Sequence, residues 1–218
     1  MPSSSGLVGT LVGLEPLESA IHTEGLFAAF AAAPPSLWTY MTIGPFKNPD
    51  ELASALDAMT GHPDRQSYAI TVDGDAVGFA SYLRIDQRSG VLEIGSIALS
   101  PSLRRTRAAT EAFYLMIDHS FDLGYRRCEW KCDALNAASR SAVERLGFRY
   151  EGTFRQATHY KGRNRDTAWF AITDADWEPL RTAFRTWLST DNFDDEGGQR
   201  TSLGELRARA AAARSTRS

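Results

Sequence analysis

Glu93 stands in the segment VLEIGSIAL, where every other residue is apolar or small. As a strand, this segment puts Glu93 on one face with Gly95, Ile97 and Leu99. Burial lifts a carboxylate pKa towards neutrality, which suits a general base. The plainer reading is a structural ion pair with Arg84 or Arg127, since glutamate is rarely buried without a partner. Downstream, Ser100-Pro101-Ser102 breaks the strand, and Leu103-Arg104-Arg105-Thr106-Arg107 leads into a helical run from Ala108. A helix start offers unpaired N–H groups and partial positive charge, so a phosphate is its natural guest. The macrodipole supplies only about 0.3–1 kcal/mol when exposed, which leaves most of the binding to the arginines and to several N–H bonds. The bland alternative is a solvated helix entrance. Further on, Asn136 opens a helix, where Asn is among the best caps. Ser139 follows in the first turn, where a serine commonly bonds backbone.

The elements that position these residues are legible in outline. Val8–Leu14, Tyr68–Val72, Ala76–Ile85, Gly90–Leu99, Arg127–Asp133, Phe148–Gln156 and Thr167–Thr173 read as strands. Asp73-Gly74-Asp75 joins the second and third as a tight hairpin. Glu18–Ala33, Asp50–Met59 (with Asp50 as its cap), Ala108–Asp122, Ala137–Leu146 and Asp176–Leu188 read as helices. Hairpins followed by alternating helices and strands predict an α/β (α+β) domain: a mixed sheet with helices on both faces. That domain spans residues 1–188. Residues 189–218, acidic and then rich in Ala, Arg and Ser, read as a loosely ordered polar tail, with a short docked helix around Leu203–Ala212 as the alternative.

Composition excludes several classes. With 218 residues and 43% hydrophobic content, the chain suits one medium domain with a tail. A formal net charge of -3 gives no ground for a nucleic-acid or membrane partner. No apolar run approaches the ~18–20 residues that cross a bilayer, and the N-terminus makes a poor signal peptide. Cys128 and Cys132 lie in one strand, ~13 Å apart, too far for a disulfide. They read as buried free thiols of a cytoplasmic protein, with no flanking His or Cys to suggest a metal.

The order VLEIGSIAL, SPSLRRTRAATEAFYLMIDHSFDLGYRR, CEWKCD and ALNAASRSAVERLGFRYEG resembles the Gcn5-related N-acetyltransferases, and within them the branch of ribosomal-protein N-terminal acetyltransferases. The resemblance covers roughly Leu11 to Leu188. It implies a mostly antiparallel sheet of six to seven strands splayed in the middle, acetyl-CoA as co-substrate, and an amine as acceptor. The family's phosphate turn follows Gln/Arg-x-x-Gly-x-Gly/Ala. Arg104 and Ala109 fit its ends, while Arg107 replaces the middle glycine and either weakens binding or offers its guanidinium to a phosphate. The resemblance thus assigns cofactor contacts to Arg104, Arg105, Thr106, Arg107, Ala108, Ala109 and Thr110, to backbone at Ile97, Ala98 and Leu99, and to Asn136 and Ser139. Glu93, eleven residues before Arg104, stands where the histone-acetylating branch carries its base. The tyrosine acid many members carry seven residues after the Asn is Val143 here, and Ser139 occupies the position of a serine proposed to protonate the thiolate. The glutamate base of the ribosomal enzymes is replaced by Thr158, with His159 beside it.

In such a fold Leu37 to Phe46 lines the acceptor side, so Trp38, Tyr40 and His159 become acceptor-side candidates. Trp38 and Tyr40 would form a flat or cation–π wall, or else cover the core. Lys161, Arg163, Arg165 and Asp166 of KGRNRDT read as internal ion pairs of a hairpin, and Trp169 and Trp177 as core. The expected activity is direct acetyl transfer to a small-molecule amine, without metal. A peptide N-terminus is the runner-up, a non-catalytic acyl-CoA sensor is the reading from another class, and a homodimer is left open.

Overall fold

A computed structural model describes residue 2 and residues 5–215. The chain begins with β1 (Leu7–Val8) and β2 (Gly13–Pro16), then α1 (Ser19–Phe30), a 3-10 turn at Pro35–Trp38 and α2 (Pro49–Met59). There follow β3 (Gln66–Val72), β4 (Asp75–Asp86), β5 (Val91–Leu99), α3 (Arg107–Asp122), β6 (Arg127–Asp133) and α4 (Ala137–Leu146). The chain continues through β7 (Arg149–Tyr160), β8 (Arg163–Thr173) and α5 (Asp174–Leu188) to α6 (Leu203–Ser215). One mixed sheet runs β1-β2-β3-β4-β5-β6-β8-β7. It has eight strands where six to seven were expected, because the first expected strand folds back on itself, with Leu7 opposite Leu14. The cap of α2 also shifts: Asn48, rather than Asp50, accepts the Glu51 N–H.

Alternation along β4 explains the layers. Phe79 points to one face with α1 and α2, while Ala80 and Tyr82 point to the other with α3, α4 and α5. The buried carboxylate of Glu111 on α3 ties the β1–β2 turn down, accepting the N–H groups of Thr10, Leu11 and Val12. Among the described residues no helix is long and apolar enough to cross a membrane.

The sheet splays as expected. β5 pairs β6 in parallel only from Val91 to Glu93, against Arg127 to Glu129. Beyond that, β5 stays with β4 and β6 stays with β8, so the middle opens into a V with Glu93 at its vertex.

The expectation of a loose tail is corrected. Asn192 donates to the carbonyls of Trp187 and Thr201 at 3.2 and 3.1 Å, and Trp187 Nε1 donates to Gln199. Leu203, 1% exposed, joins the main core, and α6 packs on α5 and α4. Composition hid this because α6 carries only two large apolar residues, Leu203 and Leu206, among its Ala and Arg.

Candidate active site

Two β-bulges shape the vertex. Ser96 (φ +48°) is an extra residue on β5 and Arg84 (φ +50°) one on β4, each re-aiming the side chains beyond it. Glu93 is 5% exposed, and its carboxylate folds back over Gly95. A Cβ at Gly95 would stand 3.1 Å from Glu93 Oε1 and 2.8 Å from Leu83 Cδ1, so only glycine fits without displacement. Oε2 lies 2.8 Å from Lys131 Nζ, a close ion pair without in-line hydrogen-bond geometry, and 3.9 Å from Arg84 Nε. Both cations sit over the Trp169 ring, at 4.6 and 5.1 Å. Arg65 donates to Ser96 Oγ at 3.1 Å. Burial pushes the Glu93 pKa up, Lys131 and then Arg84 pull it down, and burial wins.

The ion-pair reading of Glu93 therefore holds in part, with a partner that the sequence did not offer. Arg127 turns instead to Glu129 and Glu151, at 2.9 and 2.8 Å. Trp169, expected in the core, is half-buried beneath the two cations on the sheet half that α1 and α2 leave uncovered. Trp177 is core as expected.

At the start of α3, Thr106 caps the helix by accepting the Ala109 N–H at 3.0 Å. The amides of Arg107 and Ala108 have no intrahelical acceptor, and Arg104 and Arg105 are exposed beside them. Ala109 and Thr110 are buried. Thr110 Oγ1 donates to the Thr106 carbonyl and accepts from Arg145. Arg107 turns away from the turn, donating to the Leu188 carbonyl at 3.1 Å with its guanidinium 3.7 Å from the Phe193 ring centroid. Its guanidinium is therefore committed to the C-terminal segment rather than offered to a phosphate.

Ile97, Ala98 and Leu99 border the V, with Ala98 and Leu99 paired to Phe79 and Gly78 on β4. Across the V, Asn136 caps α4 by accepting the Ser139 N–H at 3.1 Å. Ser139 Oγ accepts from Trp130 Nε1 at 3.0 Å, which leaves the hydroxyl proton to donate. Burial pushes the pKa of the neighbouring Cys132 thiol up, more than Ser139 pulls it down. Burial raises Cys128 likewise, so both are neutral thiols.

Of the residues expected to face the acceptor, Trp38 is not an open wall. It is 4% exposed and packs edge-on against Phe30 and Phe46, both at 5.1 Å. Tyr40 donates to the Leu135 carbonyl at 3.0 Å and lies beneath Arg163. His159 is exposed on β7, opposite Asn164.

The KGRNRDT turn also departs from expectation, since Lys161 and Arg163 reach outwards instead of pairing with Asp166, while Arg165 stays within the hairpin and donates to Thr167. Lys161 Nζ donates to the carbonyls of Trp38, Ile43 and Gly44 at 2.9, 3.3 and 2.8 Å. Arg163 and Tyr160 both donate to the buried Asp133 at 2.9 Å. Residues 38–44, the hairpin turn and the approach to α4 thereby form one bonded wall. Lys161→Met is expected to loosen it, raising KM for the amine roughly three- to tenfold with KM for acetyl-CoA unchanged. Equal rises in both would show that the wall does not belong to the acceptor side.

A family model described as an acetyltransferase (GNAT) domain matches residues 12–149. The structure is similar to a GCN5-related N-acetyltransferase from Brucella melitensis, with 41% identity and a TM-score of 0.92, covering 95% of this chain and 96% of that one. An uncharacterized N-acetyltransferase p20 of Bacillus licheniformis is 28% identical over 144 residues, 63% of this chain and 80% of its own. An acetyltransferase from Salmonella typhimurium that modifies the N-terminal serine of ribosomal protein L7/L12 shares the fold at 20% identity, with a TM-score of 0.66 over 76% and 96% of the two chains.

Proposed function

Since the chain belongs to the GNAT acetyltransferase family, we propose that it moves the acetyl group of acetyl-CoA directly onto the primary amine of a small molecule. The observation that carries this reading is the buried Glu93 at the vertex of the V, held beside Lys131. The free amides of Arg107 and Ala108, with Arg104 and Arg105, hold the phosphates of the co-substrate. The open edge of Ile97–Leu99 and the Asn136 amide take up the amides of its pantetheine arm. Glu93 accepts the proton that the amine must lose to attack the thioester carbonyl. The C–N bond forms, the C–S bond breaks, and the Ser139 hydroxyl donates a hydrogen bond to the departing thiolate. The neutral state of Cys128 and Cys132 supports direct transfer over an acyl-cysteine route.

The wall built by Tyr40, Lys161, Arg163 and Asp133 bounds the acceptor side and favours a compact amine. A peptide N-terminus is the second reading. It is favoured by the uncovered sheet half at Trp169 and by the burial of Trp38, which removes the closed aromatic pocket a small amine would use. The test is thiol release from acetyl-CoA with a panel of small primary amines and N-terminal peptides. Higher kcat/KM across small amines supports the first reading, and preference for peptides replaces it with the second. No release with any amine, despite saturable acetyl-CoA binding, leaves the sensor.

The pH profile gives a separate check on Glu93. Only ionised Glu93 accepts a proton, so activity falls as pH drops through its pKa. Lys131 lowers that pKa, so Lys131→Met moves the acid limb of kcat/KM to higher pH. A limb that stays in place or moves down would assign it to another group.

A further inference from the structure

We infer that the segment after Leu188 is a brace for the phosphate turn, and that Arg107 and Phe193 are positioning residues for acetyl-CoA binding. The inference rests on the placement of the phosphates at the start of α3. Two struts converge on the first turn of that helix. The first runs from Arg107 to the last carbonyl of α5, at Leu188, and onto the face of Phe193. Phe193 is itself fixed edge-on against Trp187 at 5.2 Å. The second runs from Thr110, one turn along, through Arg145 at 3.1 Å, with the Arg145 guanidinium 5.0 Å from the Trp187 ring centroid. Arg207 of α6 closes it by donating to the Glu144 and Arg145 carbonyls, each at 2.7 Å. Trp187 is thus common to both struts, and α5, the Phe193 turn and α6 hold the two ends of one helical turn.

Glycine at position 107 could make no such link. Arg107 therefore supplies by cross-bracing the order that the turn needs, while its amide stays available at the helix start. Charge acts in the same direction. None of Arg107, Arg145 and Arg207 has a carboxylate partner among the described residues, and burial lowers the pKa of Arg145 and Arg207. Their positive charge adds to the helix end at which an anion would dock.

The experiment measures acetyl-CoA affinity by calorimetry, and both KM values by steady-state kinetics, for full-length wild type, Phe193→Ala, Phe193→Leu, Arg107→Lys and Arg104→Ala. Phe193→Ala is expected to weaken acetyl-CoA binding about tenfold with kcat and amine KM within twofold. Phe193→Leu, which keeps bulk without the aromatic face, tests the same strut where Ala unfolds the segment, and Arg107→Lys retains part of the affinity by keeping a cation on the ring. Normal acetyl-CoA affinity in both Phe193 variants, with Arg104→Ala impaired, overturns the brace and leaves the phosphate site standing. An equal loss in amine KM also overturns it, as the mark of general destabilisation. Absence of binding in the wild type would remove the underlying reading itself.

Discussion

With Glu93 replaced by Gln, turnover falls by about 10²–10⁴ while acetyl-CoA binds as before. Glutamine keeps the shape that Gly95 and Leu83 accommodate but removes the proton acceptor at the vertex. Lys131 then faces an amide, and the cation–π contact with Trp169 still holds it in place. A thermal midpoint close to wild type would separate loss of chemistry from loss of fold. Turnover within threefold of wild type, across several amines, would make Glu93 a structural counter-ion of Lys131. The base would then have to be sought elsewhere on the acceptor side. The expected loss falls on kcat, because the proton leaves the amine during the reaction and not on binding.

How much of this site was legible depended on whether local or distant contacts decide each residue. Burial of Glu93 followed from its apolar and small neighbours, and Asn136 acts as the expected cap through a bond three residues away. The shared face with Ile97 and Leu99 did not survive, because the bulge at Ser96 turns those two towards the α3 core. Lys131 was invisible as the partner of Glu93, because the pairing rests on the parallel register of β5 and β6. Arg107 was read beside Arg104 and Arg105, yet its side chain is claimed by Leu188 and Phe193, which have no local signal. Trp38 lies in a Gly/Pro-interrupted loop, the usual setting of an exposed aromatic, but the packing of Phe30 and Phe46 encloses it. The Lys161 side chain reaches over a hundred residues back along the chain, so the turn composition suggested a self-contained hairpin where it is a clamp. The sheet, its splay and its two helical layers needed only periodicity, breakers and the family resemblance, and these survive with one extra edge strand.

The largest stability loss is expected from Glu111, which has no part in the proposed chemistry. Its carboxylate accepts from Thr10 N at 3.0 Å through Oε1, and from Leu11 N and Val12 N at 2.6 and 3.1 Å through Oε2. The side chain is only 6% exposed, and a Cβ at Gly9 would come within 2.5 Å of Oε2, so the turn closes directly over the charge. Three converging amides offset the cost of burying that charge. Glu111→Ala leaves all three donors without a partner, two of them at a boundary that water reaches poorly. Hydrogen bonds to a charged acceptor contribute about 1.5–3 kcal/mol each and are not additive, so the expected loss is about 3 kcal/mol. For a chain of this size that lowers the midpoint by about 6–12 °C. Glu111→Gln is the sharper test, because it keeps volume but turns an –NH₂ donor towards at least one backbone donor. It should lose nearly as much as Ala in urea or thermal unfolding. A Gln variant within about 0.5 kcal/mol of wild type would mean that shape, rather than charge, holds the β1–β2 turn against α3.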